Sequence, residues 1–334
     1  MTSSDLSVES ASAGSTPAPT DHAEGTRWAA RTRGLRKTYG RTVAVDRVDL
    51  DVPAGSVLGM LGPNGSGKTT TIRMLLGLIR PTEGTVELFG HAMPEETGQV
   101  LPTVGAMVEG PGFHSHLSGR DNLRRAAAAE PLIETRHTRQ AVTEAIERVG
   151  LTDAADRAYR GYSLGMKQRL GLAAALLVPR SLVVLDEPTN GLDPAGTREI
   201  RQVIAELHQA GTTVIVSSHL LAEIEATCTH VAVLNRGVLV AQGGLDELLA
   251  ASTATLLVTT PDAEHGVETL RAAGIPARSE GDGLRAELID VTAPVVIATL
   301  ARADIAIYEA RPHRTGLEDF FALVTESDSE EPTG

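Results

Sequence analysis

Gly62-Pro63-Asn64-Gly65-Ser66-Gly67-Lys68-Thr69 is the stretch that decides the architecture of this chain. It fits G-x-x-x-x-G-K-[ST] and stands between an apolar run at residues 57–61 and a helical pattern over residues 69–78. Strand, glycine-rich turn and helix in that order make a cradle for phosphate. Glycines let successive backbone N–H groups turn inward around a β-phosphate, and the positive end of the helix adds its field. Lys68 is placed to reach the β- and γ-phosphates, and the Thr69 hydroxyl to ligate Mg²⁺. With Thr70, the residues of this loop are the candidate nucleotide contacts.

Outward from the loop, residues 56–61, 181–185, 213–217 and 231–234 are continuous Val/Leu/Ile-rich runs. Runs without alternation suit parallel strands covered on both faces. Residues 69–78, 168–177 and 195–209 between them carry helical patterns, so an α/β domain on a parallel sheet is expected over residues 28–250. Residues 111–177 are Ala/Arg/Glu-rich with helical stretches at 121–130 and 139–149, which predicts a helical insertion between two sheet strands. After residue 250 the order β-α-β-β-α-β-α matches the split βαβ arrangement. Its expected pieces are strands at 255–260 and 305–308, a hairpin of 277–279 with 284–289 around Gly281 and Gly283, and helices at 265–273, 295–303 and 317–324. A small α+β accessory domain over residues 251–326 follows.

Composition narrows the function. Among 334 residues, 30 Lys and Arg stand against 43 Asp and Glu, a formal charge of −13. That balance argues against a broad nucleic-acid surface, which needs clustered cations to neutralise phosphates. One cysteine, Cys228, excludes an intramolecular disulfide framework and a Cys-rich zinc site, and it fits a reducing cytosol. No apolar run approaches the roughly 20 residues of a membrane span. Residues 1–27 are rich in Ser, Ala, Thr and Pro, with acids where an export signal would carry cations, and read as a disordered tail. Residues 327–334 read as an acidic tail.

Leu182-Val183-Val184-Leu185-Asp186-Glu187 is an apolar strand ending in two carboxylates. Asp186 is placed to hold Mg²⁺, and Glu187 to polarise the water that attacks a γ-phosphate. With the phosphate loop, this strand resembles the ATP-binding cassette (ABC) ATPases over about residues 28–250. Tyr162-Ser163-Leu164-Gly165-Met166 resembles the family's signature segment, usually Leu-Ser-Gly-Gly-Gln. Ser163 and Gly165 keep its hydroxyl and small residue, while Leu164 and Met166 stand in place of Gly and Gln. Asn190-Gly191-Leu192-Asp193 resembles the D-loop, and Ser218-His219 the switch histidine, which in the family contacts the γ-phosphate and holds the attacking water. Tyr39 sits where the family places an aromatic ring against adenine. Glu109 occupies the Q-loop position usually held by Gln and offers an oxygen to Mg²⁺ or its water.

The resemblance implies a P-loop ABC ATPase core, mostly parallel sheet with an N-terminal antiparallel β part. It implies ATP and Mg²⁺ as ligands and two chains facing head to tail, Lys68 of one against Ser163 of the other. The dimer would be two copies or a paired ATPase subunit. A separate transmembrane permease would receive the motion through the insertion near Phe113 and residues 117–121, at the cytoplasmic side of the membrane. Glu109 and the signature resemble ABC-2-type exporters of the bacitracin and lantibiotic-immunity kind, and Leu317-Glu318-Asp319-Phe320-Phe321 resembles drug-resistance exporters. An importer ATPase with a regulatory C-terminal domain remains an alternative. A soluble ABC ATPase acting on ribosomes or DNA is another, against which stand the single phosphate loop and the absence of long heptad repeats. His114 and His116, two residues apart without a third ligand, read as loop residues.

Overall fold

The structure, a computed structural model, describes residues 28–108, 112–250, 254–289 and 291–314. In chain order, β1 (Trp28–Tyr39), β2 (Thr42–Val48) and β3 (Asp51–Pro53) lead into β4 (Val57–Leu61) and α1 (Lys68–Leu75). β5 (Glu83–Leu88), β6 (His91–Met93), the one-turn α2 (Thr97–Val100) and β7 (Val104–Met107) follow. Three helices, α3 (Gly119–Ala128), α4 (Thr138–Arg148) and α5 (Leu164–Ala175), intervene before β8 (Leu182–Leu185). Then come α6 (Pro194–Gln209), β9 (Thr213–Ser218), α7 (Leu221–Thr227), β10 (His230–Asn235), β11 (Val238–Gly244) and α8 (Leu245–Ala250).

Two sheets are built from these strands. One is antiparallel, ordered β2-β1-β5-β6 with β3 on β1. The other is ordered β11-β10-β4-β9-β8-β7, parallel except for the antiparallel β11 edge. The apolar runs are continuous because the parallel strands feed two cores. Val183, Leu185, Val214, Val216, Val231 and Val233 face one core with the helices of the insertion. Leu182, Val184, Ile215, Ala232 and Leu234 face the other, where α1 packs between the two sheets. At about 1.5–3 kcal/mol per fully buried aliphatic side chain, this two-sided burial fixes the sheet and therefore its edges.

The helical insertion is set by local chemistry. Ser118 caps α3 by accepting from the Asp121 N–H at 3.0 Å, and Ser163 caps α5 by accepting from the Met166 N–H at 3.2 Å. The buried Arg180 guanidinium, just before β8, pairs with Glu130 at 2.5 Å and donates to the Pro102 carbonyl at 2.6 Å. That pair ties the end of α3 to the sheet, and a charge so buried is tolerable only when paired.

Beyond residue 253, β12 (Ala254–Thr259), α9 (Ala263–Ala272), β13 (Ala277–Glu280), β14 (Gly283–Glu287), α10 (Ala293–Arg302) and β15 (Glu309–Arg314) form a separate antiparallel sheet, ordered β13-β14-β12-β15. It has its own core of Leu256, Val258, Leu270, Leu284, Val296 and Leu300. The element order is the split βαβ one, with two corrections. Gly283 lies in the strand, against the Val258 carbonyl where a side chain has no room, so the turn is Gly281-Asp282. The expected strand at 305–308 is a connector. Ile305 drops into the core, and the last strand is the polar Glu309–Arg314 on β12. A strand containing Pro312 survives there because it is an edge. The expected helix at 317–324 and both tails lie outside the described residues.

Candidate functional site

The carboxyl ends of β4, β9 and β8, three neighbouring parallel strands, supply the site. Ligands gather at such ends in open α/β sheets. β4 runs into the phosphate loop at Gly62. Gly67 caps α1 at φ 100°, and a Cβ there would lie 2.8 Å from the Ala44 carbonyl. Gly62 is likewise closed in by the Leu234 carbonyl and Ser66 Oγ. The loop backbone therefore has one shape, and only glycine allows it.

Lys68 is 5% exposed. Its ammonium donates to the Gly62 carbonyl at 2.7 Å and the Pro63 carbonyl at 3.1 Å, and lies 3.6 Å from Glu187 Oε1. Burial lowers its pKa below the ordinary lysine value, opposed by the carboxylates of Glu187 and Asp186. The buried hydroxyls of Ser66 and Thr71 have no hydrogen-bond partner. A desolvated cation folded over its own loop, with glycines where side chains would block approach, fits a bound triphosphate. Asn64 and Gly65 lie exposed at the loop tip, and Thr69 and Thr70 are half-buried in the first turn of α1.

At the end of β8, Asp186 donates its N–H to the Met107 carbonyl at 2.8 Å. The Ser217 hydroxyl donates to Asp186 Oδ1 at 2.6 Å and accepts the Glu187 N–H at 2.8 Å. Glu187 sits at φ 47°, a conformation that costs a residue with a Cβ about 1–3 kcal/mol unless its surroundings hold it. They do. Glu187 is 22% exposed, with His219 Nδ1 3.4 Å from Oε2 and Asn190 Nδ2 donating to Oε2 at 3.1 Å. Lys68, Glu187 and His219, drawn from three strand ends, are thus brought together. Asp186 and Thr69 offer oxygen donors only, the set Mg²⁺ takes when phosphate oxygens complete its shell. When bound, that ion neutralises charge on the transferring phosphoryl group.

Other expected residues lie apart from this cluster. Ser163 and Leu164 are exposed at the N-terminus of α5, and Gly165 lies in its first turn with Leu192 against it. Asp193 caps α6 by accepting the Gly196 N–H at 3.0 Å. Tyr39, at the end of β1, is 49% exposed, with Lys37 Nζ 5.2 Å from its ring centroid. Glu109 lies outside the described residues. Two groups escaped the sequence reading, Ser217 and Glu223, and Asn190 entered it only as part of the D-loop segment. Ser217 is hidden inside an apolar strand pattern. Glu223 signals itself only weakly, as an acid in the first turn of α7, four residues after His219.

The family model for ABC transporters matches residues 45–190. The ABC transporter ATP-binding protein YdbJ of Bacillus subtilis (strain 168) is 36% identical over 299 residues, 89% of this chain and 96% of that protein. Daunorubicin/doxorubicin resistance ATP-binding protein DrrA of Streptomyces peucetius is 34% identical over 305 residues, 89% of this chain and 92% of its own. Bacitracin transport ATP-binding protein BcrA of Enterococcus faecalis is 44% identical over 218 residues, 65% and 70% of the two chains. Among solved structures, an ATP binding subunit of an ABC transporter superposes with TM-score 0.60 at 26% identity, covering 66% of this chain and 92% of that one. The dimeric, post-hydrolysis ATP-binding cassette MJ0796 bound to ADP and Pi gives TM-score 0.60 at 23% identity over 65% and 98%, a likeness of fold alone. Similarity that runs past the matched segment into the C-terminal region shows that the chain belongs to the ABC transporter family, as one of its ATP-binding, ATP-hydrolysing subunits.

Proposed function

We propose that this subunit powers a membrane exporter, pairing head to tail with a second cassette through shared ATP and driving a separate permease. The observation that carries the reading is an asymmetry within one chain. Lys68, Glu187 and His219 are gathered in one place, while Ser163 stands exposed at a helix N-terminus with its hydroxyl turned to its own cap. A helix N-terminus presents N–H donors suited to a γ-phosphate, and a two-fold pairing would bring one chain's N-terminus to the other's phosphate loop. In this reading Lys68 and the loop N–H groups bind the triphosphate, and Asp186 with Thr69 holds Mg²⁺. Glu187, aligned by Asn190 and His219, takes the proton of the attacking water. Tyr39 stacks on adenine, Ser163 and Gly165 close the site from the opposite chain, and Asp193 sits at the interface between sites. Glu109 adds an oxygen toward the metal.

The same reading divides the chain into a cassette at 28–250, with its helical subdomain near 111–177, and an accessory domain at 251–326. No helix among the described residues is long and apolar enough to cross a membrane, and the permease would hold the chain at the cytoplasmic side. BcrA, a relative named for bacitracin transport, and DrrA, one named for daunorubicin/doxorubicin resistance, support export of a drug, peptide or antibiotic-like compound. Glu187→Gln tests the core of the proposal. ATP turnover should fall at least about 100-fold while binding persists and an ATP-dependent dimer accumulates on size exclusion. Unchanged turnover would overturn it. Co-purification from membranes with a protein of several hydrophobic spans tests the permease.

A further inference from the structure

Two loops must hold still for Glu187 and His219 to stay aligned, and one carboxylate oxygen holds both. The Thr189 hydroxyl, two residues beyond Glu187, donates to Glu223 Oε2 at 2.7 Å. The Ser218 hydroxyl, directly before His219, donates to the same oxygen at 2.7 Å. Ser218 Oγ in turn accepts the Leu220 N–H at 3.0 Å, which turns the chain away from the strand just after His219. Hydrogen bonds to an ionised acceptor at this length are about twice as strong as neutral ones. Glu223 is itself fixed in register. It lies in the first turn of α7, where Ile224 and Cys228 fill the space over Gly59 of β4, the strand that feeds the phosphate loop.

We propose that Glu223 is a positioning residue for ATP hydrolysis, clasping the loop after Glu187 to the loop that carries His219. The inference rests on the roles proposed above for Glu187 and His219. Glu187 needs such support because its backbone lies at φ 47°, and release of Thr189 would let that strain relax by moving the side chain. Among the described residues no hydrogen bond or ion pair joins Glu223 to the phosphate loop or to Asp186 and Thr69, so its loss should fall on the chemical step.

The test compares Glu223→Ala, Glu223→Gln, Thr189→Val and Ser218→Ala in the full chain, reading kcat and KM for ATP with thermal stability alongside. Glu223→Ala should lower kcat about 10-fold or more with KM within about 2-fold. Glu223→Gln, whose carbonyl oxygen accepts the same two hydroxyls, should recover to within about 3-fold of wild type. Thr189→Val and Ser218→Ala should each lower kcat, and together cost no more than Glu223→Ala, because all three changes cut the same clasp. Wild-type kcat in Glu223→Ala overturns the proposal, as does a glutamine variant no better than alanine. If Glu223→Ala does not fold, the two hydroxyl variants decide: reduced kcat supports the clasp and unchanged kcat in both overturns it. Glu187→Gln run in parallel separates the two ideas. A dead Glu187→Gln beside a fully active Glu223→Ala removes the clasp alone, whereas an active Glu187→Gln removes the reading beneath it.

Discussion

The phosphate loop and the segment around Ser163 both end in helix N-termini, yet they stand in opposite conditions. The loop is closed by its own chain, with Lys68 buried against the Gly62 and Pro63 carbonyls and Ala44 and Leu234 packed behind the glycines. The Ser163 segment is open. Leu164 is 52% exposed, leaning on Gly191, and no bond from another element reaches the Ser163 hydroxyl among the described residues. The difference teaches where work has been done in advance. The loop is preorganised for a ligand by one chain alone, and the signature surface is finished as structure but not as a site.

Breaking the closed side should have the largest effect. Lys68→Ala removes the one buried ammonium of the cluster, and ATP affinity of the isolated chain, measured by calorimetric titration, should fall about 100-fold or more. Breaking the open side should leave that affinity within about 2-fold, since Ser163→Ala touches nothing in the loop, yet turnover should drop. The comparison sharpens when the two variants are mixed. If sites are shared head to tail, a mixed pair contains one undamaged site, and random mixing should restore about a quarter of wild-type turnover. Activity no higher than either parent would show that each chain serves only itself.

Smaller effects test how each side is built. Ser163→Ala should also cost about 1 kcal/mol of stability from the lost cap of α5, read from chemical denaturation. On the closed side, Cys228 packs behind β4, and burial pushes its thiol from 9.0 up to about 12. The folded thiol holds its proton more tightly than the unfolded one. Its contribution to stability is therefore whole below pH 9.0 and is lost as pH rises toward 12. At neutral pH a thiol-specific reagent should label the chain only on unfolding, whereas rapid labelling of the native chain would mean that Cys228 is not buried behind β4.

Much of this is legible in the sequence. The parallel sheet announced itself because strands buried on both faces need apolar residues at successive positions, and residues 182–185 and 214–216 have them. The helical insertion showed in its Ala/Arg/Glu-rich composition and the helical stretches at 121–130 and 139–149. The last strand of the C-terminal sheet was misread for a complementary reason. Ile305 and Ile307 look like strand residues but serve the core as a connector, while Glu309–Arg314 pairs through backbone groups that polar side chains do not reveal. Pattern reports burial, and an exposed edge strand buries little.

Of the site, Lys68 stood out by the phosphate-loop motif, Asp186 and Glu187 by their place at a strand end, and His219 through the family resemblance. Ser217 and Glu223 did not, because their importance lies in partners that only the fold brings to them, and Asn190 showed only as part of the D-loop segment.

Local order alone determined the phosphate loop, since its glycines, lysine and helix start are consecutive and backbone conformation follows from neighbours. Only the tertiary structure decided which groups meet Glu187, how its left-handed backbone is held, and that Ser163 faces outward. Those outcomes depend on the order in which strands pair across the sheet, and pairing is a contest among distant segments that no single stretch can settle.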